Sequence, residues 1–268
     1  MTFGSLFAGI GGLDLGLERA GMQCRWQVEI NPYAQRVLTK HWPEVRRHDD
    51  IKTWPESDTE SVDLICGGFP CQDISFAGKG AGLSGERSGL FYELIRVVRE
   101  MGPRYVLLEN VSALLVRGID DVLGTLASIG FDAEWHCIPA AAVGAPHIRD
   151  RVFILASAQS QPGRNITSDF RNGQERHSRD ESRSDCEDAG TLADTDREPL
   201  FSLRTQSGIG KGEKVHIGAW ATEPDVGRVA DGVPARVDRL RGLGNAVVPQ
   251  VAEFIGNAIV EHERRHFS

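Results

Sequence analysis

The sequence predicts an α/β protein built on a parallel, doubly wound sheet. Three observations predict it. Strand-like apolar runs alternate with helix-like segments from residue 3 to residue 157. A glycine-rich turn, Phe7-Ala8-Gly9-Ile10-Gly11-Gly12, separates the first strand from the first helix. A cysteine and a carboxylic acid then fall at the ends of two later strands. Gly67-Gly68-Phe69-Pro70-Cys71-Gln72-Asp73-Ile74-Ser75 follows the apolar run Val62-Asp63-Leu64-Ile65-Cys66, and Glu109-Asn110-Val111 follows Tyr105-Val106-Leu107-Leu108. Strand ends are where open α/β sheets keep their ligands.

The elements follow in order. Phe3 to Phe7 reads as strand and Leu13 to Ala20 as helix. Cys24 to Glu29 is a second strand. Pro32 to His41 is a second helix, with Asn31 as its N-cap and Pro32 at its first position, where a missing N–H costs nothing. Val62 to Cys66 is strand, Gly89 to Met101 helix, Tyr105 to Leu108 strand and Asp120 to Ile129 helix. Phe131 to Cys137 and Arg151 to Ala156 close the alternation as a pair of strands. From Gln159 to Asp196 the chain is polar and poor in apolar residues, the composition of a loop or disordered insert. Order is expected to return near Trp220. Apolar residues at Val251, Phe254, Ile255, Ile259 and Val260 have helical spacing, so Pro249 to His262 should pack back on the core. The chain divides into a catalytic domain over 1–157, a variable segment over 158–225 and a returning segment over 226–268.

A chain of 268 residues is long enough for one large domain, or a core with a small second lobe. No apolar run approaches the ~18 residues of a membrane span, and no signal-peptide pattern opens the chain. The five cysteines (24, 66, 71, 137, 186) are scattered, odd in number and without a CxxC pair. That argues against a disulfide framework or a zinc knuckle and for a reducing cytoplasm, with no metal site expected. The net charge of −8 is that of an ordinary acidic enzyme. It leaves room for a local basic cleft, for which Arg149, Arg151, Arg236, Arg239 and Arg241 are the candidates.

Several residues stand out for their chemistry. Gly9-x-Gly11 lets a ligand approach the backbone at a helix N-terminus, although Asp14 stands where a dinucleotide fingerprint would have its third glycine. Glu29 ends the second strand about 20 residues later, where a carboxylate reaches ribose hydroxyls. Cys71 follows Pro70 on a polar loop, which suits a reactive thiolate. Cys24, Cys66 and Cys137 lie in apolar runs and read as inert core thiols. Glu109 reads either as a catalytic acid or as a cap for the next helix. Arg149 and Arg151 alternate on a strand and so face one side.

These residues occur in ordered blocks that resemble the DNA cytosine-5 methyltransferase family. The blocks are Phe7 to Leu13, Val28-Glu29-Ile30-Asn31, Phe69-Pro70-Cys71-Gln72, Arg87-Ser88-Gly89-Leu90-Phe91, Leu108-Glu109-Asn110-Val111, Ile148 to Phe153 and Gly244-Asn245-Ala246-Val247. They span residues 1–157 and about 225–260, and the intervening segment looks like that of phage and prophage members. The resemblance implies a Rossmann-like methyltransferase sheet with a small target-recognition lobe, S-adenosylmethionine as cofactor and double-stranded DNA as substrate, acted on by a monomer. It implies that Cys71 adds to carbon 6 of cytosine, that Glu109 protonates ring nitrogen 3, and that Arg149 and Arg151 hold the pyrimidine carbonyl and position the carboxylate. By position, Phe7, Gly9, Gly11, Gly12, Glu29, Ile30, Asp50, Ile51, Pro70, Leu90 and Asn245 would form the cofactor pocket, with Asp49 an alternative to Asp50 at the adenine. Gln72, Ser75 and Arg87 would contact DNA, on a glycine-rich lid over 74–87 that closes on a flipped base. The family often has a glutamine where this chain has His147, whose role stays open. Rival readings are the same chemistry on transfer RNA, an inactive DNA-binding paralogue, and a nicotinamide-dependent dehydrogenase. The Asp14 departure and the Phe69–Gln72 block argue against the last.

Overall fold

A computed structural model of the chain describes residues 1–70, 89–159 and 236–267. Cys71, Gln72, Ser75, Arg87 and Cys186 lie outside the described residues. So do the expected lid over 74–87, the polar segment from 160, and the return of order expected near Trp220.

One seven-stranded sheet forms the centre. Its strands are β1 (Thr2–Leu6), β2 (Gln23–Val28), β3 (Arg46–His48), β4 (Leu64–Gly68), β5 (Tyr105–Val111), β6 (Phe131–Pro139) and β7 (Asp150–Ala158), in the order β3-β2-β1-β4-β5-β7-β6. The first five are parallel to one another, whereas β7 runs antiparallel to both β5 and β6. The parallel sheet read from the alternation is therefore corrected at β7. The link from Pro139 to Asp150 is too short for a crossover, which takes a dozen or more residues, so the chain turns back beside β6. The three-residue β3 is also new: Arg46-Arg47-His48 has no apolar alternation to announce a strand.

Among the described residues, helices α1 (Gly12–Arg19), α2 (Pro32–His41), α3 (Gly89–Met101), the single turn α4 (Leu114–Arg117), α5 (Ile119–Ser128) and α7 (Pro249–Phe267) pack around the sheet, with α6 (Arg236–Asn245) at the pocket rim. The bounds of α2 and α3 are those expected from the sequence. Asn31 caps α2 as its residue type predicts, accepting from the backbone N–H groups of Tyr33 and Ala34 at 2.9 and 3.1 Å.

Strand periodicity sorts the core into two layers. On β5, Val106 and Leu108 join the cluster under α3 and α5, with Leu94, Val98, Val122 and Leu126. Tyr105 and Leu107 point the other way, to α1 and α7, with Leu13, Leu17, Val251, Ile255 and Ile259. Each of these fully buried aliphatic side chains contributes roughly 1.5–3 kcal/mol. Helices α1 and α7 sit close because Gly16 has no side chain: a Cβ there would lie 2.3 Å from the Pro249 carbonyl oxygen. Among the described residues, no helix is long and apolar enough to cross a membrane.

This topology positions the site. From β1 the chain winds outward through β2 and β3, then crosses to β4 and β5 on the other side. The strand order therefore reverses between β1 and β4, and a crevice opens there at the carboxyl ends of the strands.

Candidate functional site

The turn after β1 is built for close approach. Phe7, Gly9 and Gly11 all have positive φ (53°, 58° and 85°). The two glycines adopt it freely, whereas Phe7 is held there by its neighbours. Ala8 N–H donates to the Val28 carbonyl at 3.1 Å, and Gly11 N–H donates to the Ala8 carbonyl at 2.9 Å. Gly12 opens α1 against the α6–α7 connection: a Cβ on it would meet the Val247 carbonyl oxygen at 2.4 Å.

Glu29 clamps this turn to the end of β2. Its Oε2 accepts from Gly9 N–H and its Oε1 from Asn31 N–H, each at 2.7 Å. Each oxygen keeps a second lone pair for a ligand hydroxyl. Ile30 beside it is 71 % exposed, an apolar platform at the pocket wall. Asp50 Oδ1 accepts from Lys52 N–H at 3.0 Å and caps a 3-10 turn over Ile51–Thr53. Asp49 Oδ1 accepts from Gln35 Nε2 at 2.8 Å. Both carboxylates line the pocket, together with the buried Ile51.

The cavity has a volume of about 360 Å³, within the range of small-molecule sites. It gathers Phe7, Gly9, Gly12, Glu29, Ile30, Asp50, Ile51, Pro70, Leu90 and Asn245 from the sequence expectations; Gly11 instead sits behind the turn, against Trp42. Asp238, Arg241 and Gly242 of α6 also reach its rim. Of these, Arg241 is among the arginines that the sequence offers for a basic cleft.

Glu109 stands at the inner end of this cavity. It lies within β5, paired with Gly68 of β4 and Phe153 of β7, rather than after the strand. Residue 109 is only 9 % exposed. Arg151 Nε approaches its Oε1 at 2.9 Å. The two influences oppose each other. Burial raises the Glu109 pKa above the ordinary carboxylate value, while Arg151 and Arg149 pull it down; burial prevails. The carboxyl is thus biased toward the protonated, donating form. Asn110 Nδ2 reaches the Phe69 carbonyl at 3.3 Å and holds the start of the Pro70 loop against β5.

Arg149 corrects the expectation that both arginines alternate on one strand. It precedes β7 with φ of 40°, and its guanidinium donates to the Gly244 and Ala246 carbonyls at 2.7 Å each. The left-handed residue breaks the strand's alternation, so Arg149 ties β7 to the α6–α7 connection while Arg151 serves Glu109. His147 lines a neighbouring, more open hollow with Trp42 and Leu243. Cys24 and Cys66 are buried, as their runs predict, and burial pushes both thiols far up. Cys137 is exposed instead. It lies on β6, which among the described residues is an edge strand with one neighbour, where an apolar-looking run does not ensure burial.

A family model described as C-5 cytosine-specific DNA methylase matches residues 1–214. The type II methyltransferase M2.BsuMI of Bacillus subtilis (strain 168) is 36% identical over 166 residues, which cover 59% of this chain and 42% of that protein. M.HhaI of Haemophilus parahaemolyticus is 32% identical over 159 residues, 58% of this chain and 48% of that protein. The chain thus spans less than half the length of these relatives. Among solved structures, a protein encoded within an E. coli prophage and described as a candidate DNA modification methyltransferase superposes with a TM-score of 0.51 at 28% identity, over 59% of this chain and 47% of that one. The S. pombe Dnmt2 methyltransferase shares the fold, with a TM-score of 0.51 at 21% identity over 66% of this chain and 57% of that one. On the match to residues 1–214, which set the glycine turn, the Pro70 loop and Glu109 in one crevice, the chain belongs to the C-5 cytosine-specific DNA methylase family.

Proposed function

We propose that this chain transfers a methyl group from S-adenosylmethionine to carbon 5 of a cytosine in double-stranded DNA, through a covalent adduct with Cys71. The observation that carries the reading is the buried, Arg151-held carboxyl of Glu109, in the cavity that Pro70 also lines one residue before Cys71. The cavity suits the cofactor: a backbone turn for the amino-acid part, the Glu29 carboxylate for the ribose, and Ile30 and Ile51 as apolar faces for a base, with Asp49 or Asp50 at its edge. S-adenosylmethionine, once bound, supplies an electrophilic methyl group.

The remaining chemistry belongs to the chain. The Cys71 thiolate adds to carbon 6, forming a sulfur–carbon bond and pushing the ring electrons toward nitrogen 3. Glu109 donates its proton there, leaving an enamine whose carbon 5 takes the methyl group. Arg151 then steadies the carboxylate that Glu109 has become. Loss of the carbon 5 proton to a base restores the double bond, expels the Cys71 thiolate and returns the nitrogen 3 proton to Glu109. In duplex DNA the target base must first leave the stack.

A duplex carrying 5-fluorocytosine tests this. Fluorine cannot leave as the proton does, so enzyme and DNA should stay joined on a denaturing gel, and Cys71→Ala should abolish the band. No adduct from a preparation that methylates the ordinary duplex would sink the covalent mechanism. Transfer RNA as a competing substrate separates the DNA reading from its nearest rival.

A further inference from the structure

Asp14 occupies the first turn of α1 and is completely buried, yet it does not line the cofactor cavity. Its Oδ2 accepts from Ser5 Oγ of β1 at 3.0 Å, and its Oδ1 from Gln27 Nε2 of β2 at 2.7 Å. The other end of that amide, Gln27 Oε1, accepts from Arg47 Nε of β3 at 3.0 Å. Arg47 continues to the end of α2, donating to Thr39 Oγ1 at 3.1 Å, to the Leu38 carbonyl at 3.2 Å and to the Trp42 carbonyl. Trp42 in turn lies against Gly11, where a Cβ would come within 2.4 Å of its ring. The hydrogen bonds therefore begin in the helix that the glycine turn opens and end at the backbone of Trp42, the residue whose ring backs that turn.

The direction of these bonds is unambiguous. An ionised aspartate only accepts and an arginine only donates, so the Gln27 amide between them has one orientation. A purely structural core would ordinarily fill such a site with apolar side chains at no loss of stability. Here a polar line crosses three strands and meets the cofactor turn at both ends. We propose that Asp14, Gln27 and Arg47 form a positioning strut that holds the Gly9–Gly12 turn in its cofactor-accepting shape. This rests on the reading of the cavity as a cofactor site. None of the three touches the reacting atoms, so the strut acts on cofactor binding and not on methyl transfer.

The experiment uses the full chain. S-adenosylhomocysteine binding is followed by calorimetry, and amide hydrogen exchange is followed over residues 8–12. Arg47→Met, whose side chain is only partly buried, removes the outer donor at little risk to folding. It should weaken binding about tenfold, by loosening a site that must be held tightly to work. It should raise KM for the cofactor with kcat unchanged at saturation, and speed exchange of the turn. Asp14→Ala should do the same, and the double variant no more than the worse single one, because both cut one line. Asp14→Asn keeps the acceptor for Gln27 and should restore near-normal binding. The proposal is overturned if Arg47→Met binds and exchanges like the parent, if it lowers kcat with KM unmoved, or if the two losses multiply. A parent that binds no S-adenosylhomocysteine, with strut variants that still loosen the turn, refutes the cofactor reading and leaves the strut standing.

Discussion

The Glu109 carboxylate occupies the space that a side chain on Gly68 would need. The two residues are register partners across β4 and β5, and a Cβ on Gly68 would lie 2.7 Å from Glu109 Oε2. Gly68→Ala should therefore push the carboxyl away from its place beside Arg151. A misplacement of about 1 Å costs up to about 100-fold in rate. The expected outcome is a single-turnover rate lowered roughly 10- to 100-fold, with S-adenosylhomocysteine affinity within about twofold of the parent. A normal rate would mean that Glu109 has room to move without loss.

Glu109→Gln removes the proposed proton donor while keeping the shape. Positioned general acids contribute about 10²- to 10⁴-fold, and methylation should fall by that order. The pH dependence gives a sharper check. Because burial raises the Glu109 pKa, the donating form persists above the ordinary carboxylate range and is lost as pH rises. The parent's single-turnover rate should decline on that alkaline limb, and the glutamine variant should lack it. The same limb in both proteins would assign the acid elsewhere.

Glu29 clamps the turn and is proposed to hold the ribose, and two variants separate the two roles. Glu29→Ala loses both the proposed ribose partner and the clamp on Gly9 and Asn31, and should weaken S-adenosylhomocysteine binding about 10- to 100-fold. Glu29→Gln keeps one acceptor oxygen and should fall between the parent and alanine. Calorimetry decides, and an alanine variant with unchanged affinity would move the ribose contact to another residue.

Asp14 should make stability pH-dependent. Burial, opposed by the bonds from Gln27 and Ser5, raises its pKa from 3.8 to about 6. Between those values the folded chain holds a proton that the unfolded chain has released. Stability should therefore fall as pH rises through that window and level off above it, by about 3 kcal/mol in all. Denaturant melts from pH 4 to 7 would show this slope, and Asp14→Asn should flatten it. An unchanged slope in the variant would place the titration on another group.

Binding of duplex DNA by a chain of net charge −8 must rest on local contacts. Affinity should drop steeply with salt, with a log–log slope of about −0.9 for each phosphate neutralised. A flat salt response would argue against a phosphate-tracking cleft.

Much of the architecture was legible in the sequence because its signals are local. Alternation of apolar runs marks strands, 3.6-residue spacing marks helices, and Asn31-Pro32 announces the start of α2 within the residues themselves. The glycine turn was likewise legible and lines the cavity, whereas the cysteine chemistry expected of the Phe69–Gln72 block falls on residues outside the described ones. What only the tertiary structure decided depends on residues far apart in the chain. Glu109 is buried within β5, so its acidity is set by depth in the sheet and by Arg151, 42 positions away in sequence by simple subtraction. Arg149 leaves the strand because carbonyls of residues 244 and 246 lie within reach of its guanidinium. Cys137 is exposed because β6 ends the sheet, and β7 reverses because its connection is short. Asp14 reads in sequence as a missing glycine. Only when β1, β2 and β3 come side by side does it become the inner end of a polar line to Arg47, since a hydrogen bond depends on distance in space and not along the chain.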